Sequence, residues 1–333
     1  AESKPDAYDF GTLRDRVRDP LDSLVDDGFV AADDELAIEP TGLGRLASKY
    51  YLRLDTARRF RRLADRETLT VDRILETVAS AGEFDSVSAR SAESDAIDRI
   101  LDGHDTDLED GHRKVFAILL AGMADSVPSD LRSDAWVIRQ NALRLLAALS
   151  EFLDRFAGPR AANLACRVEA RVEHGVSREA VALTAIEGVG SGRAERLADA
   201  GITSPAAVVD AGAGALENAG MSGSVAERIV DAARDCPRID VDWGDFPDHI
   251  AVGENEMCEV AVATVSGSAR TGVRVTVNDV EMTATTTYLD GETTVPVGVF
   301  GPPDADELEF VVEVVFPDLP LMPVRATRTV RVA

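Results

Sequence analysis

The spacing of apolar residues changes abruptly at Cys236-Pro237, and this change limits the possible folds of the 333-residue chain more than any other property. Before this point, apolar residues recur every three or four positions, as on one face of an amphipathic helix. After it, they alternate with polar residues in seven or eight short runs separated by turn residues, a pattern typical of β-strands. The sequence therefore predicts a multi-domain chain that is α first and β second.

The helical portion divides further by helix length and turn composition. Residues 1–44 combine a short helix with a small hairpin and predict the tail of a winged-helix domain, a partial winged helix. Residues 45–176 predict an all-α helical bundle whose longest helix covers 131–156. Residues 177–236 have short helices and Gly-rich turns, typical of a small α helix-hairpin-helix domain. Strand number alone predicts an immunoglobulin- or fibronectin-like β-sandwich at 237–333.

Local signals predict how several helices begin. Residues 43–54 keep their apolar side chains on one helical face, and Thr70 precedes the next helix as a plausible cap. Ser204-Pro205 combines an N-cap residue with proline at the first helical position. Residues 224–227 have the composition of a capping box.

The charge balance is strongly acidic, with 35 Lys and Arg against 60 Asp and Glu, a formal net charge of −25. The acids are spread along every segment rather than gathered into blocks. This distribution suits a protein of a haloarchaeal cytosol, although an acidic mesophile protein is the alternative. Because the Debye length falls to about 3 Å near 1 M salt, the net charge does not exclude nucleic acid as a partner.

The sequence contains none of the common catalytic or nucleotide-binding motifs. It has no phosphate-binding P-loop, no dinucleotide fingerprint, no nucleophile elbow and no zinc-protease motif. The four histidines are scattered and the three cysteines are far apart, so we expect no metal site and no disulfide framework. No apolar run approaches the roughly 20 residues that span a bilayer. We expect a cytoplasmic chain without membrane contact, catalytic site or cofactor of its own.

A glycine-rich turn gives the most specific local signal. Gly188 and Gly190 would let the backbone approach a phosphate, which amides at the next helix's N-terminus could hold. Arg193 and Arg196 would add positive charge, whereas Glu187 and Glu195 would oppose it. A weaker copy follows at 218–223. The alternative is that both turns only pack a small α-domain.

Two further signals involve arginine. Between Arg45 and Arg73 the local charge is reversed, which favours an acidic partner: nucleic acid or another acidic domain. The nine basic residues of this stretch are Arg45, Lys49, Arg53, Arg58, Arg59, Arg61, Arg62, Arg66 and Arg73. On the long helix, Arg132, Trp136 and Arg139 share one face, where an aromatic ring could stack on a base while arginines hold phosphates. A tryptophan that completes the core is the alternative.

The order of these segments resembles the C-terminal Sec63 homology unit of Ski2-like, superfamily-two helicases, the group of the spliceosomal unwinding helicase and the archaeal repair-fork helicase. The resemblance rests on Thr-Gly-Leu-Gly-Arg-Leu-Ala-Ser-Lys-Tyr-Tyr-Leu at 41–52, which is similar to the family's junction between winged helix and long helix. Glu83-Phe84-Asp85 and the stretch 139–149 are similar to two further family segments.

This resemblance implies a portion of an ATP-dependent helicase that grips single-stranded DNA or RNA. It implies ATP and Mg²⁺ in upstream RecA-like motor domains, which are absent from this sequence. Trp136, Arg139 and Arg144 would form a ratchet on the strand, with Arg132 beside them. Arg45 and Lys49 would add strand contacts near the junction, and the 188–196 hairpin would act as a brake on the exiting strand.

The resemblance also implies a docking surface on the β-sandwich for a protein partner or for the motor. One alternative is a protein-interaction scaffold, since the translocation subunit of the endoplasmic reticulum carries the same homology unit. The membrane segments and the His-Pro-Asp motif of that subunit are missing here. The other alternative is a repair-type hairpin protein that binds duplex ends.

Overall fold

The computed structural model describes residues 10–32 and 37–333, with side chains from residue 18 onward. Helices occupy the chain up to residue 234. Within the described residues there are eleven α-helices: α1 Phe10–Asp26, α2 Gly42–Lys49, α3 Leu54–Ala64, α4 Val71–Ala79, α5 Ser94–Ile100, α6 Asp110–Gly122, α7 Arg132–Ala157, α8 Pro159–His174, α9 Ser191–Asp199, α10 Pro205–Asn218 and α11 Gly223–Arg234.

Apart from a small hairpin near the N-terminus, the strands follow the last helix. They are β1 Val30–Ala32, β2 Ile38–Pro40, β3 Arg238–Asp242, β4 His249–Ile250, β5 Asn255–Ser266, β6 Ala269–Val277, β7 Val280–Leu289, β8 Glu292–Phe300, β9 Glu307–Val315 and β10 Val324–Val332. The change of periodicity at Cys236-Pro237 therefore marks the change from helix to strand, and the α-then-β order is confirmed.

The eight C-terminal strands form two sheets, one ordered β4-β10-β9-β6-β7 and the other β3-β5-β8. All neighbours are antiparallel except β4 and β10. Inward residues of both sheets, among them Val260, Val295, Val275 and Val312, share one hydrophobic core. Alternation along each strand sends every second side chain into this core.

The helical portion has two further cores. One gathers α2 to α8 and includes Phe29 and Leu43. The other joins α9, α10 and α11 with the short 3₁₀-helix Val181–Ala185. The long helix α7 contributes a fully buried stripe of Ala142, Leu145, Leu149 and Leu153 to the first core.

Two predicted caps are confirmed and two local expectations are wrong. Thr70 accepts a hydrogen bond from the Arg73 amide at 3.2 Å, and Ser204 from the Ala207 amide at 3.1 Å. The expected helical face over 43–54 is interrupted, because α2 ends at Lys49 and α3 begins at Leu54. The capping box at 224–227 does not form, because α11 begins at Gly223, two residues before the predicted start, with Ser222 in place of Ser224 as its N-cap.

Buried polar contacts fasten the helical bundle to the sheets. Asn163 of α8 is fully buried and donates from Nδ2 to the Phe316 and Leu321 carbonyls at 2.8 and 3.0 Å. Arg270 of β6 bridges Asp154 of α7 and Asp318 at 2.9 and 2.8 Å. The bundle therefore rests on the five-stranded sheet through specific hydrogen bonds as well as apolar packing.

Candidate nucleic-acid interface

The helix α7 turns an aromatic side chain to solvent between two arginines. Because its apolar residues at three- and four-residue spacing are buried, its other face is exposed. Trp136 on that face is 68% exposed. Arg132 lies one turn before it and is exposed, and Arg139 lies one turn after it and is half-buried. The alternative in which Trp136 completes the core is therefore wrong.

The two arginines beside Trp136 keep their hydrogen-bonding capacity. Neither forms an ion pair with any residue that the structure describes. The Nε of Arg139 is buried and has no hydrogen-bond partner among the residues that the structure describes. A guanidinium with free donors beside an exposed indole can bind a phosphate while a base stacks on the ring.

A buried ionic cluster fixes the end of α7 that carries Trp136. Lys114 of α6 is fully buried, and its Nζ contacts Glu93 at 2.9 Å and Asp134 at 2.5 Å. The hydrogen bond from Lys114 lowers the pKa of Asp134 below its ordinary value. Because Asp134 lies two residues before Trp136, the cluster holds the exposed face in one position.

Arg144 has a structural role. It donates from Nη1 to the Tyr50 carbonyl at 2.7 Å, so it ties α7 to the linker between α2 and α3. The peptide that it contacts leads into Tyr51, whose ring is 90% exposed and whose φ is 51°. The left-handed region costs a non-glycine residue about 1–2 kcal/mol, so the contact with Arg144 helps to hold a strained residue.

The two basic residues of α2 also contact their surroundings. Lys49 Nζ lies 2.5 Å from Glu151 of α7, and the hydrogen bond to Glu151 raises the pKa of Lys49. Tyr50 donates to the same carboxylate at 2.6 Å. Arg45 is exposed and donates to the Pro40 carbonyl at 2.7 Å. Of these two cations, Lys49 is therefore paired with an acid, Glu151, whereas Arg45 contacts only a backbone carbonyl within the described residues.

The glycine-rich turn adopts the geometry that the sequence predicts. Gly188 is exposed with φ at 82°, a conformation that strongly favours glycine. Gly190 is the N-cap of α9. The amides of Ser191 and Gly192 follow it at the N-terminus of α9, where they have no backbone partner among the described residues. An exposed helix N-terminus of this kind favours anions.

Both hairpin arginines fold back onto their own backbone. Arg193 donates to the Gly188 carbonyl at 2.6 Å. Arg196 donates to the Gly192 carbonyl at 2.9 Å and to the Gly220 carbonyl at 3.3 Å. Glu195, whose charge opposes phosphate binding, accepts hydrogen bonds from the Ser177 amide and hydroxyl at 2.5 and 2.9 Å. These arginines therefore brace the turn.

The second glycine turn repeats the first at an interval of 32 residues. Gly220 has φ at 87°, close to that of Gly188, and α11 follows it as α9 follows Gly188. Glu227 and Arg228 stand 32 residues after the Glu-Arg pair of α9. Arg228 donates to the carbonyl four residues before it, at 3.3 Å, as Arg196 does. The weaker copy is thus a structural repeat of the first turn.

The structure brings only part of the predicted site together. Trp136 and its neighbouring arginines share one face of α7, and α2 packs against the same helix through Lys49. The hairpin belongs to a different hydrophobic core from α7. Lys114 was not predicted as a structural residue, although a lysine next to the apolar run 115–123 is itself a signal of a buried ion pair. Tyr51 was not predicted either.

The chain matches the family described as "Sec63 Brl domain" over residues 40–319. It is 28% identical over 170 residues to the DExH-box ATP-dependent RNA helicase DExH12 of Arabidopsis thaliana, covering 49% of this chain and 8% of that protein. It is 32% identical over 120 residues to activating signal cointegrator 1 complex subunit 3 of Bos taurus, covering 33% and 5%. For the human U5 small nuclear ribonucleoprotein 200 kDa helicase, identity is 24% over 147 residues, covering 42% and 7%.

The chain therefore corresponds to less than a tenth of the length of these relatives. Within the described residues, no helix combines the length and apolarity needed to cross a bilayer. The family match extends from the N-cap region of α2 to the loop after β9 and so includes both the helical and the β portion. The chain belongs to the Sec63 Brl domain family, and it resembles the units of that family in Ski2-like helicases.

Proposed function

We propose that this chain is a non-motor portion of an ATP-dependent helicase and that it guides a single strand of DNA or RNA along α7. The observation that carries the proposal is the exposure of Trp136, at 68%, between two arginines that have no acidic partner among the described residues. A large aromatic ring in solvent loses the free energy of burial. Packing does not account for its position, whereas stacking on a base would.

The binding chemistry would be insensitive to sequence. Every base has a π-face on which an indole can stack, and phosphate contacts position a strand without reading it. Arg132 and Arg139 would supply the phosphate contacts. The amides at the start of α9 would form a second, weaker contact at the hairpin, because the nearby arginines are already engaged.

The motor would lie outside this sequence. RecA-like domains that bind ATP and Mg²⁺ would pull the strand, and the present chain would guide it. For the isolated chain we expect weak binding that prefers single strands, and no ATP hydrolysis. ATP turnover by the pure chain would contradict this division of roles.

Tryptophan fluorescence offers a direct test, because the chain has only two tryptophans. Trp243 packs edge-on against Phe246 at 5.0 Å between ring centroids, so Trp243→Phe keeps an aromatic ring there and leaves Trp136 as the sole reporter. A dT12 oligonucleotide should quench this fluorescence in a saturable manner at low and at molar salt, and a duplex of equal length should quench it less. Equal or absent quenching by both would refute the proposal.

A second proposal, protein docking on the β portion, rests on a separate observation. Met257 of β5 and Phe300 of β8 are 73% and 52% exposed on the three-stranded sheet. The strand β7 forms an outer edge of the other sheet and exposes Val280 and Tyr288. Two results together would favour the scaffold function. Nucleic acid would leave the Trp136 fluorescence unchanged, and Met257→Asp would abolish capture of the motor domains.

A further inference from the structure

A cavity of about 230 Å³ lies between α3 and α4, and none of its described lining residues belongs to α7. We call it the α3–α4 pocket. Its basic residues are Arg59, Arg66 and Arg73, and two hydroxyl side chains, Thr77 and Ser80, line it from α4. Leu63 and Leu108 add apolar surface. In a chain of net charge −25, a cavity with three arginines is an unusual concentration of positive charge.

The basic stretch 45–73 is largely neutralised, but this pocket is not. Among the described residues, five of the nine cations contact acids: Lys49 with Glu151, Arg53 with Asp55 and Asp85, Arg58 with Asp27, Arg61 with Asp65, and Arg73 with Glu76. Arg45 and Arg62 donate to backbone carbonyls. Arg59 and Arg66 have no partner among the residues that the structure describes.

The two free arginines line the same cavity from α3 and from the turn after it. Arg59 belongs to α3, Arg66 lies two residues beyond the last helical residue Ala64, and Leu63 lines the cavity with them. Both arginines are exposed, so their charges cost little to keep in solvent. The local fold therefore presents two unneutralised guanidinium groups to one cavity.

The acids of the pocket do not cancel this charge. Glu76 is already engaged, since it accepts hydrogen bonds from Arg73 at 3.0 Å and from the Thr106 hydroxyl at 2.8 Å. Asp107 is exposed and faces the same cavity. Three arginines against these two acids leave the lining with a net positive charge.

We propose that the α3–α4 pocket binds the phosphate group of a nucleotide. Guanidinium forks match phosphate oxygens in a bidentate geometry, and the Thr77 hydroxyl can donate a further hydrogen bond. The Ser80 hydroxyl already donates to the Thr77 carbonyl at 2.9 Å. The apolar residues would contact the sugar or the base. The nucleotide is either part of the guided strand, a case that rests on the proposed function, or a free mononucleotide.

The salt dependence of oligonucleotide binding tests the first source. Each phosphate contact to a single strand contributes about 0.7 to the slope of log K against log salt concentration. For dT12, Arg59→Ala combined with Arg66→Ala should lower this slope by about 1.4. Arg331→Ala, an exposed arginine of β10, should leave it unchanged. Trp136→Ala should lower affinity without changing the slope, because the indole is uncharged.

Calorimetric titration with adenosine 5′-monophosphate and with adenosine tests the second source. Binding of the nucleotide but not the nucleoside, lost in the double variant, would support a free nucleotide. The proposal would be overturned if the double variant had the same salt slope as the wild type and bound the nucleotide with the same affinity. The effect of Trp136→Ala on dT12 affinity tests the α7 interface independently of the arginine variants. Failure of the pocket and failure of the α7 interface are therefore distinguishable. Thermal melting verifies that the variants fold.

Discussion

The exposed face of α7 and the glycine hairpin both carry arginines next to a plausible phosphate site, yet the two regions are built differently. On α7, Arg132 and Arg139 have no acidic partner in the part of the chain that the structure describes, and the buried Lys114 fixes the helix end from the opposite side. In the hairpin, Arg193 and Arg196 are bound to the backbone of the turn itself. An arginine that braces its own turn is less available to a ligand than one whose support comes from another residue.

The largest effect, a loss of folding stability, is expected on replacing Lys114, which supports the exposed face of α7. Lys114→Met would leave the buried Glu93 carboxylate only the Arg90 amide, at 2.7 Å, and the Arg90 guanidinium, at 3.7 Å. Breaking a buried ion pair costs about 3–5 kcal/mol. Arg113→Met is the control, since the neighbouring Arg113 pairs with Asp98 at the surface, where a pair contributes about 1 kcal/mol or less. Chemical denaturation measures both. Equal losses would show that the buried cluster is not what holds α7.

The next effect compares the two candidate ligand contacts directly. Trp136→Ala should weaken single-strand binding by about 1–3 kcal/mol, the contribution of one stacked base. Arg193→Ala should weaken it less, because that guanidinium already donates to Gly188. Tyr288→Ala, which removes an aromatic side chain 62% exposed in the β portion, is the control. Fluorescence anisotropy measures all three, and the reverse order would transfer the main contact to the hairpin.

A smaller effect concerns the backbone of the hairpin. Gly188→Ala forces a side chain into the left-handed region and should destabilise the fold by about 1–2 kcal/mol. Gly192→Ala places a methyl group in open space within α9 and should be neutral or slightly stabilising. Thermal unfolding compares the two variants. If both behave alike, the positive φ of Gly188 does not limit this turn.

The smallest effect is the acid dependence that comes from Asp134. The hydrogen bond from Lys114 holds its folded-state pKa below the ordinary value of 3.8, so this contact stabilises the fold above that value and is lost as the pH falls through the folded-state pKa. Asp134→Asn should flatten the loss of stability in acid relative to the wild type. Denaturation between pH 7 and pH 2 measures it, and identical curves would contradict the contribution.

Much of the fold could be predicted because hydrophobic periodicity is a local property. Alternation predicts seven or eight strands after Cys236-Pro237, and eight form there, while α7 covers the predicted 131–156 almost residue for residue. The break between α2 and α3 was missed because the apolar spacing at 43–54 continues through it. Arg144 and the strained Tyr51 define this break, and a contact across 94 residues leaves no local trace.

The residues of the candidate site could be predicted from the sequence, but not which of its arginines are free to bind a ligand. The Gly-x-Gly turn and the Arg-x₃-Trp-x₂-Arg face are visible in the sequence. Which arginines are free is not visible, because pairing depends on acids distant in the chain, such as Asp27 for Arg58 and Glu151 for Lys49. The winged-helix, helix-hairpin-helix and immunoglobulin-like assignments stay predictions, as do the domain boundaries and the salt-loving origin.

By itself, the sequence determined the α-then-β order, the long amphipathic helix and the positions that require glycine, because these follow from short-range sterics and from the periods of helix and strand. The tertiary structure alone decided that Trp136 faces solvent, that Lys114 is buried, and that Arg59 and Arg66 share a cavity in which neither forms an ion pair with any acid of the described residues. Burial and charge pairing are set by residues that meet only after the chain has folded.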